Sequence, residues 1–165
     1  MLAGSRHNGT VTAPEKLPTP MLVSFASIGY LALLVAVLGI ASAIVDDDII
    51  STPGVSLIAA YAAAGVAIAA FALLLAGPVS RAKPGYWSAV STAIGSAGVY
   101  VIALAIAVFV SSADLSLVGS VLREVLVGWV VPVVLGSAFV AAWAGIALRR
   151  TNASQPRWPW EDEDE

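Results

Sequence analysis

Cysteine is absent from the 165-residue chain, histidine occurs once, and charged residues make up only 12% of it. Without cysteine there are no disulfides, thiolate metal sites or cysteine nucleophiles. The single histidine, His7, lies in a polar N-terminal stretch, which excludes an H-E-x-x-H metal site and haem ligation by an apolar helix. A soluble domain carries about 25% charged residues, and this chain has a mean hydropathy of +0.89. The composition therefore indicates a membrane protein.

Charge is missing altogether from four long apolar runs. Each run can cross a hydrocarbon core about 30 Å thick, which takes about 20 helical residues. Helix is required because hydrocarbon cannot satisfy backbone polar groups, and the runs lack the alternating pattern of a membrane barrel. We therefore predict an all-α polytopic membrane protein, a four-transmembrane-helix bundle. The predicted spans are Met21 to Val45, Val55 to Val79, Tyr86 to Val110 and Val125 to Leu148.

Polar segments flank the spans and complete the predicted domain organisation. Residues 1–20 carry too little apolar surface to offset the entropy of ordering, so we predict a disordered cytoplasmic tail. Residues 21–148 form the predicted four-helix transmembrane domain. Residues 149–165 form a second cytoplasmic tail, which ends in five acidic residues.

Basic residues are distributed unevenly between the two sides of this domain. Seven of the eight lie before the first span, between the second and third, or after the fourth. An even number of spans puts these positions on one side, which the positive-inside rule assigns to the cytoplasm. We therefore predict a multi-pass plasma-membrane protein with both termini in the cytoplasm. The seven are Arg6, Lys16, Arg81, Lys83, Arg149, Arg150 and Arg157, and the exception is Arg123.

An alternative interpretation takes the first run as a cleaved signal peptide, because Ala41, Ser42 and Ala43 resemble an A-x-A cleavage site. The apolar region of a signal peptide has about 7 to 15 residues, and this run is far longer. Retention as a span is therefore favoured, whereas cleavage would leave three spans.

Acidic residues gather on the predicted outer side. Asp46, Asp47 and Asp48 follow the first span, and oxygen ligands of this kind attract Ca²⁺ or Mg²⁺. Consecutive side chains diverge, so an exposed acidic loop is favoured, and cation binding stays open. The segment 111–124 has apolar residues at helical spacing, which predicts a short interfacial helix or a protruding first turn of the fourth span. Its lone cation has the acidic triplet and Glu124 as candidate ion-pair partners.

Small and hydroxyl-bearing residues recur at every fourth position of the third run. Ser88, Thr92, Ser96 and Tyr100 therefore share one helix face, with Gly95 beside it. Membrane helices pack through this combination, in which small residues allow close approach and hydroxyls form interhelical hydrogen bonds. We predict a helix-packing face, and the alternative is the polar lining of a permeation path.

A proline between two glycines marks the fourth run, where Gly128, Pro132 and Gly136 are spaced by four residues. Proline lacks an N–H and crowds the carbonyl four residues earlier, so we predict a kink and helix packing here. A static kink is favoured over a transporter hinge, because neighbours can satisfy the freed carbonyl. A small-residue face continues toward the cytoplasm through Ser137, Ala141 and Gly145.

The C-terminal tail combines arginines with aromatic residues. Arg149 and Arg150 follow the last span at the level of anionic head groups, and Trp158 and Trp160 flank a proline. Arginine and tryptophan are frequent anchors of protein interfaces. We therefore predict that these four residues contact a protein partner, and the alternative is a solvated tail.

The composition also carries a resemblance. The spans are rich in Ala and Val, arginine is preferred over lysine, cysteine is missing, and Trp158-Pro-Trp160 precedes the acidic end. In these respects the chain resembles the small four-span integral membrane proteins of high-GC actinobacteria, a group without an assigned function. The resemblance implies a membrane location and transfers no functional residue.

The four spans contain no Asp, Glu, Lys, Arg or His, whereas intramembrane enzymes and ion-coupled pumps normally need such groups. We therefore expect a non-catalytic integral membrane protein that serves as an accessory, anchoring or assembly partner of another protein. The alternative is a passive channel or a transporter subunit. We expect the lipid bilayer as surroundings, with no enzyme activity, cofactor, metal or nucleic-acid partner. The oligomeric state stays open.

Overall fold

The computed structural model describes residues 18–46, 50–53, 55–81 and 84–151. These residues form five α-helices and no strand, and four of the helices are long and apolar enough to cross a membrane. The predicted all-α architecture of a polytopic membrane protein is confirmed. The four long helices are α1 (Thr19–Val45), α2 (Leu57–Ser80), α3 (Trp87–Ser112) and α5 (Val130–Thr151), and the short one is α4 (Leu115–Val127).

Local signals explain where the helices begin and end. Ser56 begins α2 by accepting a hydrogen bond from the Ile58 N–H at 3.2 Å, the usual role of a serine N-cap. Asp46 and Ala113 end α1 and α3 in the left-handed conformation, each with a φ of 53°. A left-handed residue at this position lets the terminal N–H bond back to a carbonyl of the last turn.

Each of the four long helices packs against at least two of the others. Helix α1 contacts α2 and α5, and α3 contacts α2 and α5, while α4 lies against α3 and α5. Bulky side chains from all four long helices fill the centre and are almost fully buried. They include Tyr30, Phe71, Leu75, Tyr100, Leu104 and Ile146.

The segment before the last span forms a helix of its own. Helix α4 buries Val118, Val121 and Val125 and exposes Ser120 and Arg123, which is the pattern of an amphipathic surface helix. The predicted short helix therefore exists, and it is separate from the last span.

The structure replaces the predicted kink of the fourth span with a break between α4 and α5. Pro132 is the third residue of α5, where a backbone N–H has no intrahelical acceptor, so the proline costs no hydrogen bond. The chain turns at Gly128 instead, whose N–H donates to the Glu124 carbonyl at 2.8 Å. A Cβ at Gly128 would lie 2.6 Å from that oxygen, so the turn requires glycine.

Candidate functional site

A cluster of hydroxyl groups lies in the middle of the helices. Ser96 on α3 is fully buried, and its Oγ lies 3.1 Å from the Ala67 carbonyl oxygen and 3.3 Å from the Tyr30 hydroxyl. One hydroxyl has one proton. When Ser96 donates this proton to the Ala67 carbonyl, a lone pair of its oxygen can accept the proton of the Tyr30 hydroxyl. Ser96 therefore joins α3 to both α1 and α2.

Aromatic rings close the space around this cluster. The Tyr30 and Phe71 ring centroids are 4.7 Å apart, with the rings tilted by 34°, and both residues are fully buried. Tilted aromatic pairs at this separation are favourable beyond the area they bury. The hydroxyl cluster therefore lies in tightly packed, apolar surroundings.

The α3 residues that the sequence singles out differ in how deeply they are buried. Thr92, Ser96 and Tyr100 are buried, whereas Ser88 is half-buried and donates its hydroxyl to the Gly85 carbonyl within the first turn. Gly95 is half-buried against α2, and a Cβ there would lie 2.7 Å from Leu74 Cδ1. The later residues of the stripe are thus buried between helices, whereas its first residue is only half-buried.

The residues that the sequence singles out on α5 also differ in burial. Pro132 and Gly136 are exposed and line a groove beside α1, and a Cβ at Gly136 would meet no atom within 4 Å. Gly145 is buried between helices, and a Cβ there would lie 3.2 Å from Ala26 Cβ on α1. The later part of the small-residue face, where Ala141 is also buried, therefore packs closely against α1.

A second polar cluster joins α4 to the α1–α2 loop. The Glu124 carboxylate accepts the Ser51 backbone N–H at 2.5 Å and the hydroxyl of Thr52. Glu124 is half-buried, while its neighbour Arg123 is exposed and lines an open pocket with it. The acidic partner expected for Arg123 is therefore engaged with the loop. We call Ser51, Thr52 and Glu124 the outer clamp.

Asp114 caps the start of α4. Its carboxylate accepts the Ser116 hydroxyl at 2.7 Å and the Ser116 backbone N–H at 2.8 Å. The hydrogen bond from the hydroxyl, followed by the one from the N–H, lowers the pKa of Asp114. Asp46 is exposed at the end of α1, and Asp47 and Asp48 lie outside the described residues. Within the described ranges no three acidic or histidine side chains form a group that could hold a metal.

The opposite end of the molecule is basic and aromatic. The Arg150 guanidinium lies 4.6 Å above the Tyr86 ring, so the end of α5 is held against the start of α3. Arg149 is half-buried and Arg81 is exposed at the end of α2. The other two predicted contact residues, Trp158 and Trp160, lie outside the described residues.

No sequence pattern indicates the contacts that connect distant segments. Thr52 and Glu124 are 72 residues apart, and Tyr86 and Arg150 are also far apart in the chain. Neither pair has a local sequence signal. Only their positions near the ends of the predicted spans indicate that the two residues of each pair lie on the same side of the membrane domain.

Comparisons with known proteins identify a family and no function. No curated protein and no solved structure matches the chain. A family model described as a family of unknown function, DUF6121, matches residues 18–165. That match covers most of the sequence, and the chain belongs to the DUF6121 family.

Proposed function

We propose that the protein is a non-catalytic integral membrane component that assembles with or anchors another protein. The observation that carries this proposal is the use of the α3 hydroxyls. Ser96 bonds to both neighbouring helices in a fully buried position, which is how hydroxyls hold membrane helices together. The polar residues of the spans thereby contribute to a stable scaffold.

The same observation disfavours the channel alternative. A permeation path needs polar groups in contact with water, and a hydroxyl that lines it must be accessible. Ser96, Tyr30 and Phe71, which form or adjoin this cluster, have no exposed surface. A lining role for this stripe would require these side chains to move apart.

The proposed orientation and location follow from charge. Arg81, Arg149 and Arg150 lie at one end of the long helices, and Asp46, Asp114 and Glu124 lie at the other. The positive-inside rule puts the arginine end in the cytoplasm, with both termini on that side and the outer clamp on the other. The plasma membrane is the proposed location.

The C-terminal segment is the proposed contact with the partner. Arg150 rests on Tyr86, so the segment leaves the membrane domain from a fixed point between α3 and α5. Arginine and tryptophan dominate many interface energies, and Trp158 and Trp160 follow within ten residues of that point. The terminal acids would steer a basic partner toward them.

Affinity purification from native membranes tests this proposal. Full-length protein is compared with a version that ends at Arg150 and with a version that ends at Trp160, which lacks only the five acids. We expect a specific co-purifying protein that is lost with the first truncation and kept, more weakly, with the second. An identical set of co-purifying proteins for all three would contradict the proposed contact. A pure homo-oligomer that conducts ions in liposomes would favour the channel instead.

A further inference from the structure

An apolar groove lies along the line where α1 and α5 meet, with a cavity volume of about 470 Å³. The two helices are antiparallel here, because Ala26 adjoins Gly145 while Leu33 and Val140 line the groove farther along. Small residues line much of it, and a Cβ at Gly29 would meet no atom within 4 Å. We call this the α1–α5 groove.

The dimensions of the α1–α5 groove suit a hydrocarbon chain. On α5 it extends from Val140 to Leu148, which at 1.5 Å per residue is about 12 Å. One leaflet of a bilayer is about 15 Å deep in hydrocarbon. A helical segment about 10 Å across and about 12 Å long has about twice the volume of the groove and cannot fit inside it. An extended acyl chain from one leaflet can.

Positive charge at the end of the groove indicates that the lipid head group is anionic. Leu148 is the last lining residue on α5, and Arg149 and Arg150 follow it directly. Arg149 lies four residues after Gly145 and therefore shares the helix face of this lining residue. A guanidinium at this level is placed to bind a phosphate, for which its planar set of donors is well suited.

We propose that the α1–α5 groove binds one acyl chain of an anionic glycerophospholipid, whose phosphate contacts Arg149. The lipid belongs to the leaflet at the arginine end of the molecule. Its chain fills the space between α1 and α5 that no side chain occupies.

Lipid retention by full-length protein purified in detergent tests the site. Native mass spectrometry counts adducts of phosphatidylglycerol and of phosphatidylcholine with the same acyl chains. Gly29→Leu fills the groove, and Ala144→Leu does so from the opposite wall in case the first variant fails to fold. Gly98→Leu is the matched control, because Gly98 is exposed on α3 and a Cβ there would also meet no atom within 4 Å.

We expect the wild type and Gly98→Leu to retain phosphatidylglycerol in preference to phosphatidylcholine, and both groove-filling variants to lose the adduct. Arg149→Gln should weaken phosphatidylglycerol binding about fivefold, the effect of one arginine near an anionic head group, and leave phosphatidylcholine binding unchanged. Equal retention of the two lipids by the wild type would overturn the proposal. Full lipid retention by folded Gly29→Leu would also overturn it. If the wild type is a dimer and Gly29→Leu converts it to a monomer without loss of lipid, the groove binds a second copy of the chain instead.

Discussion

The Glu124 carboxylate on α4 accepts the hydroxyl of Thr52, a residue of the α1–α2 loop. With the adjacent Ser51 N–H, this contact ties a surface helix to a loop that precedes it by more than 70 residues. Hydrogen bonds to a charged group are stronger than those between neutral groups. The outer clamp therefore fixes α4 across one end of the long helices.

Loss of the outer clamp should destabilise the protein. We expect Glu124→Ala to lower the free energy of unfolding by about 1.5–3 kcal/mol, the usual contribution of a hydrogen bond to a charged group. Arg123→Ala, at the exposed neighbour, should change it by less than about 0.5 kcal/mol. Denaturation in mixed micelles measures both. Because Thr52→Val removes the same contact, the double variant Thr52→Val/Glu124→Ala should be less destabilised than the sum of the two. Strict additivity would contradict the clamp.

Two glycines of α5 should differ in their tolerance of a large side chain. Gly145→Leu forces a side chain between α5 and α1, where a Cβ alone would lie 3.2 Å from Ala26 Cβ. Overpacking of this kind costs about 1–3 kcal/mol. Gly136→Leu meets open space and should leave the melting temperature in detergent nearly unchanged. Equal losses in the two variants would show that α1 and α5 do not approach each other at Gly145.

The four long helices could be predicted from the sequence because charge is absent over runs longer than a bilayer requires. The burial of Thr92, Ser96 and Tyr100 also follows a visible spacing. The break at Gly128 could not be predicted, because apolar residues before it suit a membrane span and the buried side of α4 equally well. The surroundings of Gly136 and Gly145 differ because α1 lies close to only one of them. The residue pattern within α5 does not indicate the position of α1.

The pKa of Asp114 should depend on Ser116. Hydrogen bonds from Ser116 lower the pKa of this carboxyl in the folded protein. Because the pKa is lower in the folded than in the unfolded protein, the cap stabilises α4 at pH values above the ordinary pKa of aspartate. This contribution is lost as the pH falls through the folded pKa. Carboxyl carbon NMR in micelles should give a titration midpoint for Asp114 below the usual range. Ser116→Ala should raise it and Ser120→Ala should not. A midpoint insensitive to Ser116→Ala would refute the assigned cause.

Single cysteines can report the orientation directly, because the chain has none of its own. An impermeant thiol reagent should label Ser51→Cys and Ser116→Cys in intact cells. It should label Asn8→Cys and Ser154→Cys only after lysis. The expectation rests on seven of the eight basic residues lying in segments that an even number of spans puts on one side. Labelling of Asn8→Cys or Ser154→Cys without lysis would reverse or break the proposed topology.

Water access to Ser96 distinguishes a packed core from a permeation path. Purified Ser96→Cys protein in liposomes is treated with a charged, water-soluble methanethiosulfonate, and the extent of modification is followed by mass. Ser116→Cys, at the exposed start of α4, serves as the accessible reference. We predict that Ser96→Cys stays unmodified after the reference has reacted completely, because its side chain has no exposed surface between α1, α2 and α3. Modification of Ser96→Cys at a rate comparable to that of Ser116→Cys would contradict this and indicate a water-filled path along α3.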